Sequence, residues 1–105
     1  MRNSDQSFPE VDRVIHEPAR LAILTVLSSC ESANFLFLQR ATGLSKGNLS
    51  VQLSRLEEAG LVQIQKIIRT KKTLTTVALT KQSRTKITEY WDTMDLIRTH
   101  VCVAK

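Results

Sequence analysis

Glycine and proline are scarce in this 105-residue chain, three and two respectively, and cysteine occurs only twice. With 42% hydrophobic and 24% charged residues, so few chain breakers exclude a disordered chain and favour an ordered, soluble, largely helical one. Cys30 and Cys102 are too few and too far apart for a disulfide framework or a zinc site, both of which need closely spaced pairs. Both read as buried free thiols. No apolar run approaches the roughly 18 residues of a membrane span, and the start MRNSDQSFPE lacks the apolar stretch of a signal peptide. A cytoplasmic protein with no membrane partner is expected. His16 and His100 have no carboxylate or thiol at ligand spacing, so capping or surface roles fit them better than metal binding. No nucleophile and base pair, phosphate loop or pair of carboxylates is present. No enzyme, catalytic residue, metal or cofactor is therefore expected, and the length fits one domain spanning residues 1–105.

Acidic residues are missing where basic ones gather. The net charge is +5, yet residues 32–88 carry ten basic side chains (Arg40, Lys46, Arg55, Lys66, Arg69, Lys71, Lys72, Lys81, Arg84, Lys86) against only Glu57 and Glu58, a balance of +8. The ends together carry −3. A clustered cationic surface is the footprint of a protein that binds a polyanion.

The stretch GLSKGNLSVQLSRLEEAG at 43–60 shows where that charge has company. Read as a helix starting after Ser45, it puts Leu49, Leu53 and Leu56 on one side at spacings of four and three, the rhythm of a buried stripe. The opposite side carries Gly47, Ser50, Val51, Ser54 and Glu58, flanked by Asn48 and Arg55. Gly and Ser in a helix cost roughly 0.5 to 1 kcal/mol each relative to Ala, so a small, uncharged outer face implies a use.

Upstream, Pro18 suits a first helical turn and opens PARLAILTVLSSC, with EVDRVIH (10–16) predicted as a shorter helix leading in. Asn34 is placed to cap a second helix, FLFLQRAT, that ends at Gly43 in a left-handed conformation, and Ser45 caps the third. Two helices joined by so tight a turn cross steeply: residues 34–60 form a helix-turn-helix. After Gly60 the period changes to two, with Val62 and Ile64 on one face, RTKK (69–72) at a hairpin tip and Thr75, Val77 and Leu79 turned inward on the return. No Asn-Gly or Asp-Gly marks the tip. From Lys81 the pattern is helical again, and Ile87, Tyr90, Met94, Ile97 and Val101 form a short heptad seam suited to packing on a partner. Trp91 beside Tyr90 reads as a core or partner contact before a small-molecule pocket.

A major groove admits one helix, and a face of short side chains lets that helix come close to base edges. Asn48, Ser50 and Arg55 can hydrogen-bond to bases there, while Ser45 and the free N–H groups of the first turn suit a phosphate. Lys66, Arg69, Lys71 and Lys72 on the hairpin would meet the neighbouring backbone or minor groove.

The strings VIHEPARLAILTVL, LSKGNLSVQLSRLEEAGLV and VALT resemble winged-helix transcriptional regulators of the MarR/ArsR type, in order over about residues 11–100. The resemblance implies a mainly α (α+β) winged helix-turn-helix with a two-stranded wing at 61–80 and dimerisation helices at 10–30 and 81–104. It implies a homodimer that presents two recognition helices and two wings to double-stranded DNA. By similarity, Lys46, Gly47, Asn48, Ser50, Val51 and Ser54 match recognition-helix positions, and Arg69, Thr70, Lys71 and Lys72 match the wing. Ile87, Tyr90, Trp91, Met94, Ile97 and Val101 are the expected dimer contacts. Relatives commonly carry an acidic pair and a glycine before the last helix, where this chain reads LTKQSRTK. Metal-sensing relatives carry paired cysteines in the second helix, where this chain reads FLFLQRAT, so metal sensing is disfavoured. The expected function is a DNA-binding transcriptional regulator, a repressor, with no effector indicated. The alternative is a winged-helix interaction module that docks an acidic protein.

Overall fold

The computed structural model describes residues 10–103, with side chains as far as Thr99; the expectations for His100, Val101 and Cys102 fall outside those described side chains. The order of elements is α1 (Pro18–Ser28), β1 (Ala33–Asn34), α2 (Phe35–Thr42), α3 (Lys46–Glu58), β2 (Val62–Arg69), β3 (Lys72–Leu79) and α4 (Lys81–Val103). The chain folds as an α+β winged helix.

Its helix boundaries follow from local chemistry. Glu17 caps α1 by accepting the Arg20 N–H at 2.8 Å, with Pro18 in the first turn where its missing donor costs nothing. Asn34 caps α2 through the Phe37 N–H at 2.7 Å, and Gly43, at φ 74°, ends it. Ser45 caps α3 through the Asn48 N–H at 3.1 Å. Gly60, at φ 77°, closes α3 with two bonds: its own N–H to the Glu57 carbonyl and the Leu61 N–H to the Leu56 carbonyl. Leu56 and Leu61 are both buried, which completes the Schellman pattern.

Residues 10–17 form a turn and not the expected leading helix. The Asp12 carboxylate accepts the N–H groups of Val14 and Ile15, a local bond that competes with helix and ends the turn at once. Ile15 is nonetheless fully buried, so the segment anchors itself through one side chain.

The core gathers Ile23, Leu24 and Leu27 of α1, Leu38 of α2, the three leucines of α3, and Leu61, Val62, Val77 and Leu79 around the sheet. Each such side chain contributes about 1.5 to 3 kcal/mol through burial. α1, read as part of a dimerisation element, packs inside this core against α2, α3 and β3.

The sheet has three antiparallel strands in the order β1-β3-β2, where the sequence predicted two. β1 is only two residues long, Ala33 opposite Val77 and Asn34 opposite Thr76, too short for a period to register. It ties the start of α2 to the base of the hairpin.

α4 begins with a capping arrangement at the LTKQSRTK junction. The Ser83 N–H donates to Thr80 Oγ1 at 3.3 Å, and the buried Ser83 hydroxyl donates to the Thr80 carbonyl at 2.8 Å. Thr80 Oγ1 and Gln82 Nε2 both donate to the Gly60 carbonyl, at 2.7 and 3.0 Å, joining the end of α3 to the start of α4. Arg84 reaches the carbonyls of Ser28 and Cys30 at the end of α1.

Candidate nucleic-acid interface

α3 is fixed from beneath. Leu49, Leu53 and Leu56 are buried at successive turns, which forces Lys46, Gly47, Asn48, Ser50, Val51, Ser54 and Arg55 outward, and all seven are exposed, as is the cap Ser45. A Cβ built on Gly47 meets nothing within 4 Å. Val51, 49% exposed, is an apolar side chain held in solvent at the middle of this face. Its methyl groups suit contact with a thymine methyl.

The hairpin register pairs Val62 with Leu79 and runs to Arg69 opposite Lys72, leaving Thr70 and Lys71 as a two-residue turn. Thr70 has φ 54°, a left-handed conformation that suits the twist of a tight hairpin and that a β-branched residue adopts at a cost of about 1 to 2 kcal/mol. The pleat divides the cations. Lys66 shares a face with Ile64, Thr75 and Val77, while Arg69 and Lys72 lie directly opposite each other on the other face, and Lys71 is at the tip. All four, with Thr70, are exposed. Like charges placed directly opposite are destabilising, and a bound anion would relieve them.

The start of α3 and the hairpin meet at one groove. Lys46, at the start of α3, and Thr73, Leu74 and Thr75 of β3 line the same open groove of about 450 Å³, together with Asn34, Phe35 and Leu36. A second hollow at the tip is lined by residues 69–74. Of the residues expected to face DNA, Lys46 lines the groove between α3 and β3, Arg69, Thr70, Lys71 and Lys72 line the hollow at the tip, and the others are exposed along α3 and β2.

Two further contributors emerge from the structure. Arg20 of α1 donates through Nη1 to Gln52 Oε1 at 2.9 Å, and Gln52 Nε2 donates to Asn48 Oδ1 at 3.0 Å. The spacing of four between Asn48 and Gln52 carries a readable signal, since such pairs meet on a helix surface. Nothing in the sequence announces Arg20.

The heptad seam of α4 divides in two. Ile87 and Tyr90 belong to the chain's own core, and the Tyr90 hydroxyl meets His16 Nδ1 at 2.8 Å. Tyr90 is 3% and Ile87 8% exposed, so both side chains are engaged mainly within the chain's own core. The period of three and four is the same for both uses, so spacing alone could not separate them. Further along, Met94 and Ile97 are half-buried, while Trp91 and Leu96 are 46% and 56% exposed. Trp91 packs edge-on against Tyr90 with ring centroids 5.1 Å apart. Among the described residues no group of acidic, histidine and cysteine side chains could hold a metal ion, and no helix is long and apolar enough to cross a membrane.

Residues 19–97 match the family described as winged helix DNA-binding domain. An uncharacterised protein of Methanocaldococcus jannaschii is 28% identical over 78 residues, covering 74% of this chain and 85% of that protein. The structure of a transcriptional regulator homologue from Pyrococcus horikoshii OT3 superposes with a TM-score of 0.79 at 24% identity, over 86% of this chain and 89% of that one. AbsC, a MarR family transcriptional regulator from Streptomyces coelicolor, superposes with a TM-score of 0.61 at 27% identity, over 79% of this chain and 57% of AbsC.

Proposed function

The chain belongs to the winged helix DNA-binding domain family, with a MarR-type fold, and from that premise we propose that it is a sequence-specific regulator that binds duplex DNA as a homodimer and represses by occlusion. The observation that supports this is a helix with a small, exposed outer face whose first residue, Lys46, lines one groove with β3, followed by a hairpin on which Lys66, Arg69, Lys71 and Lys72 are all exposed. In this reading α3 enters the major groove, with Lys46, Gly47, Asn48, Ser50, Val51, Ser54 and Arg55 along its contact face. Ser45 and the first N–H groups of α3 meet a phosphate. The wing contacts the adjacent backbone or minor groove.

Dimerisation is assigned to the far half of α4, where Trp91, Leu96 and Ile97 supply apolar surface and Met94, half-buried against the core, borders it. Two-fold symmetry would set the recognition helices about 34 Å apart, on successive major-groove faces. Repression follows from size alone, because a protein seated over two groove faces obstructs whatever else must bind there.

The test is selection of bound duplexes from a random library, followed by titration of the selected and a scrambled duplex at two salt concentrations. A recurrent, roughly palindromic sequence with steep salt dependence is expected. Weak, sequence-indifferent binding alongside tight capture of an acidic protein would overturn the proposal in favour of a docking module. Sedimentation tests the dimer separately: Leu96→Glu should yield monomers, and an unchanged dimer would remove α4 from the interface.

A further inference from the structure

Asn48 is not free to choose which end of its amide it offers to DNA. Its Oδ1 accepts from Gln52 Nε2 at 3.0 Å, and Gln52 Oε1 accepts from Arg20 Nη1 at 2.9 Å. Arg20 is itself held, its Nε donating to the Val14 carbonyl at 2.6 Å and its backbone N–H to Glu17 Oε1 at 2.8 Å. A guanidinium has donors and no acceptor. The end of Gln52 that faces Arg20 must therefore be its oxygen, which leaves its amide nitrogen facing Asn48. A nitrogen that donates requires an oxygen that accepts, so Asn48 turns Oδ1 inward along the helix and keeps Nδ2 for the outside. One fixed cation thus sets the sense of two hydrogen bonds in series. The direction runs from α1 to the exposed first turn of α3.

We propose that Arg20 and Gln52 are positioning residues that fix the hydrogen-bond polarity of Asn48, so that the recognition helix presents an amide donor and selects a base edge bearing acceptors. This rests on the reading that α3 enters the major groove. There, guanine offers N7 and O6, adenine N7 and thymine O4, while cytosine offers only the N4 donor. At the base that Asn48 meets, cytosine is the one excluded.

The relay predicts an inversion that packing alone would not produce. In Gln52→Glu the carboxylate still accepts from Arg20 but cannot donate, so it accepts from Asn48 Nδ2 and turns the Asn48 amide around. Oδ1 then faces outward, and cytosine N4 or adenine N6 becomes the favoured partner.

The experiment compares sequences selected from a random duplex library by the wild-type protein, Asn48→Ala and Gln52→Glu, each checked for a cooperative thermal transition. Asn48→Ala should flatten the preference at one base pair. Gln52→Glu should shift that same position toward cytosine by about tenfold while leaving the others unchanged. If Gln52→Glu keeps the wild-type preference where Asn48→Ala flattens it, the relay is wrong although Asn48 still reads DNA. If Asn48→Ala changes no position, Asn48 is not a reader and the relay falls with that assignment. Should Gln52→Glu not fold, Arg20→Met removes the donor and frees the Gln52 amide to rotate. Discrimination between guanine and cytosine should then be lost at that position, and its persistence would overturn the proposal.

Discussion

α3 buries a leucine at each turn and is tethered to Arg20 of α1 through Gln52, whereas the hairpin between Gln65 and Leu74 buries no side chain at all. The two regions meet at one groove through Lys46 and residues 73–75, yet only one is held in register by a core. The contrast matches the demands of their tasks. Reading a base edge requires a donor or acceptor placed within a fraction of an ångström, which only a packed support supplies. Neutralising a phosphate requires a cation somewhere near it, which a long side chain on a thin ribbon supplies as well. Even the apolar residues of the ribbon, Ile67, Ile68 and Leu74, are exposed, with Ile68 at 76%.

Substitutions should separate the regions most sharply in stability. Leu53→Ala is expected to cost about 2 to 5 kcal/mol in denaturant unfolding because it opens a cavity beneath α3. Ile68→Ala should stay within about 0.5 kcal/mol of wild type. Comparable losses would show that the hairpin is buttressed in some way its burial does not reveal. The next contrast is in binding. Asn48→Ala should weaken the specific site by about 1 to 3 kcal/mol and leave random DNA nearly unaffected. Lys71→Ala and Lys72→Ala should weaken all sequences alike, each lowering the slope of log affinity against log salt by about 0.9. Equal losses on specific and random DNA from both classes would erase the distinction between reader and clamp. The smallest effect is expected at the turn. Thr70→Gly should stabilise the fold by about 0.5 kcal/mol, the relief of the left-handed strain being partly offset by the greater flexibility of the unfolded chain. A destabilised Thr70→Gly would mean that the Thr70 side chain makes a favourable contact of its own.

The parts of the fold legible in the sequence are those governed by local chemistry. Asn34, Ser45, Gly43 and Gly60 each mark a helix end through a cap or a positive φ that short-range rules predict. The leucine stripe of α3 and the alternation from Val62 to Ile64 are equally direct, since burial on one face imposes a period. Most of what escaped depends on partners distant along the chain, the local turn at Asp12 being the exception. β1 exists because Ala33 and Asn34 pair with Val77 and Thr76, more than forty positions away. The Asp12 side chain, bonding to nearby N–H groups, turned an apolar-patterned segment away from helix. Ile87 and Tyr90 obey the same heptad as Ile97, and only the tertiary fold decides that they lie in the core, with Met94 packed against it. In the candidate interface, exposure of the α3 face was readable, while the tether from Arg20 was not, because no short-range pattern links residue 20 to residue 52.

The joint at Gly60 is composed entirely of neutral groups: a carbonyl receiving a hydroxyl from Thr80 and an amide from Gln82. A cationic grip on nucleic acid weakens as counterions crowd in, but dipoles meeting at short range are nearly indifferent to dissolved ions or to acidity. Brine should therefore strip this protein from its ligand and still leave the seam between its third and fourth helices shut.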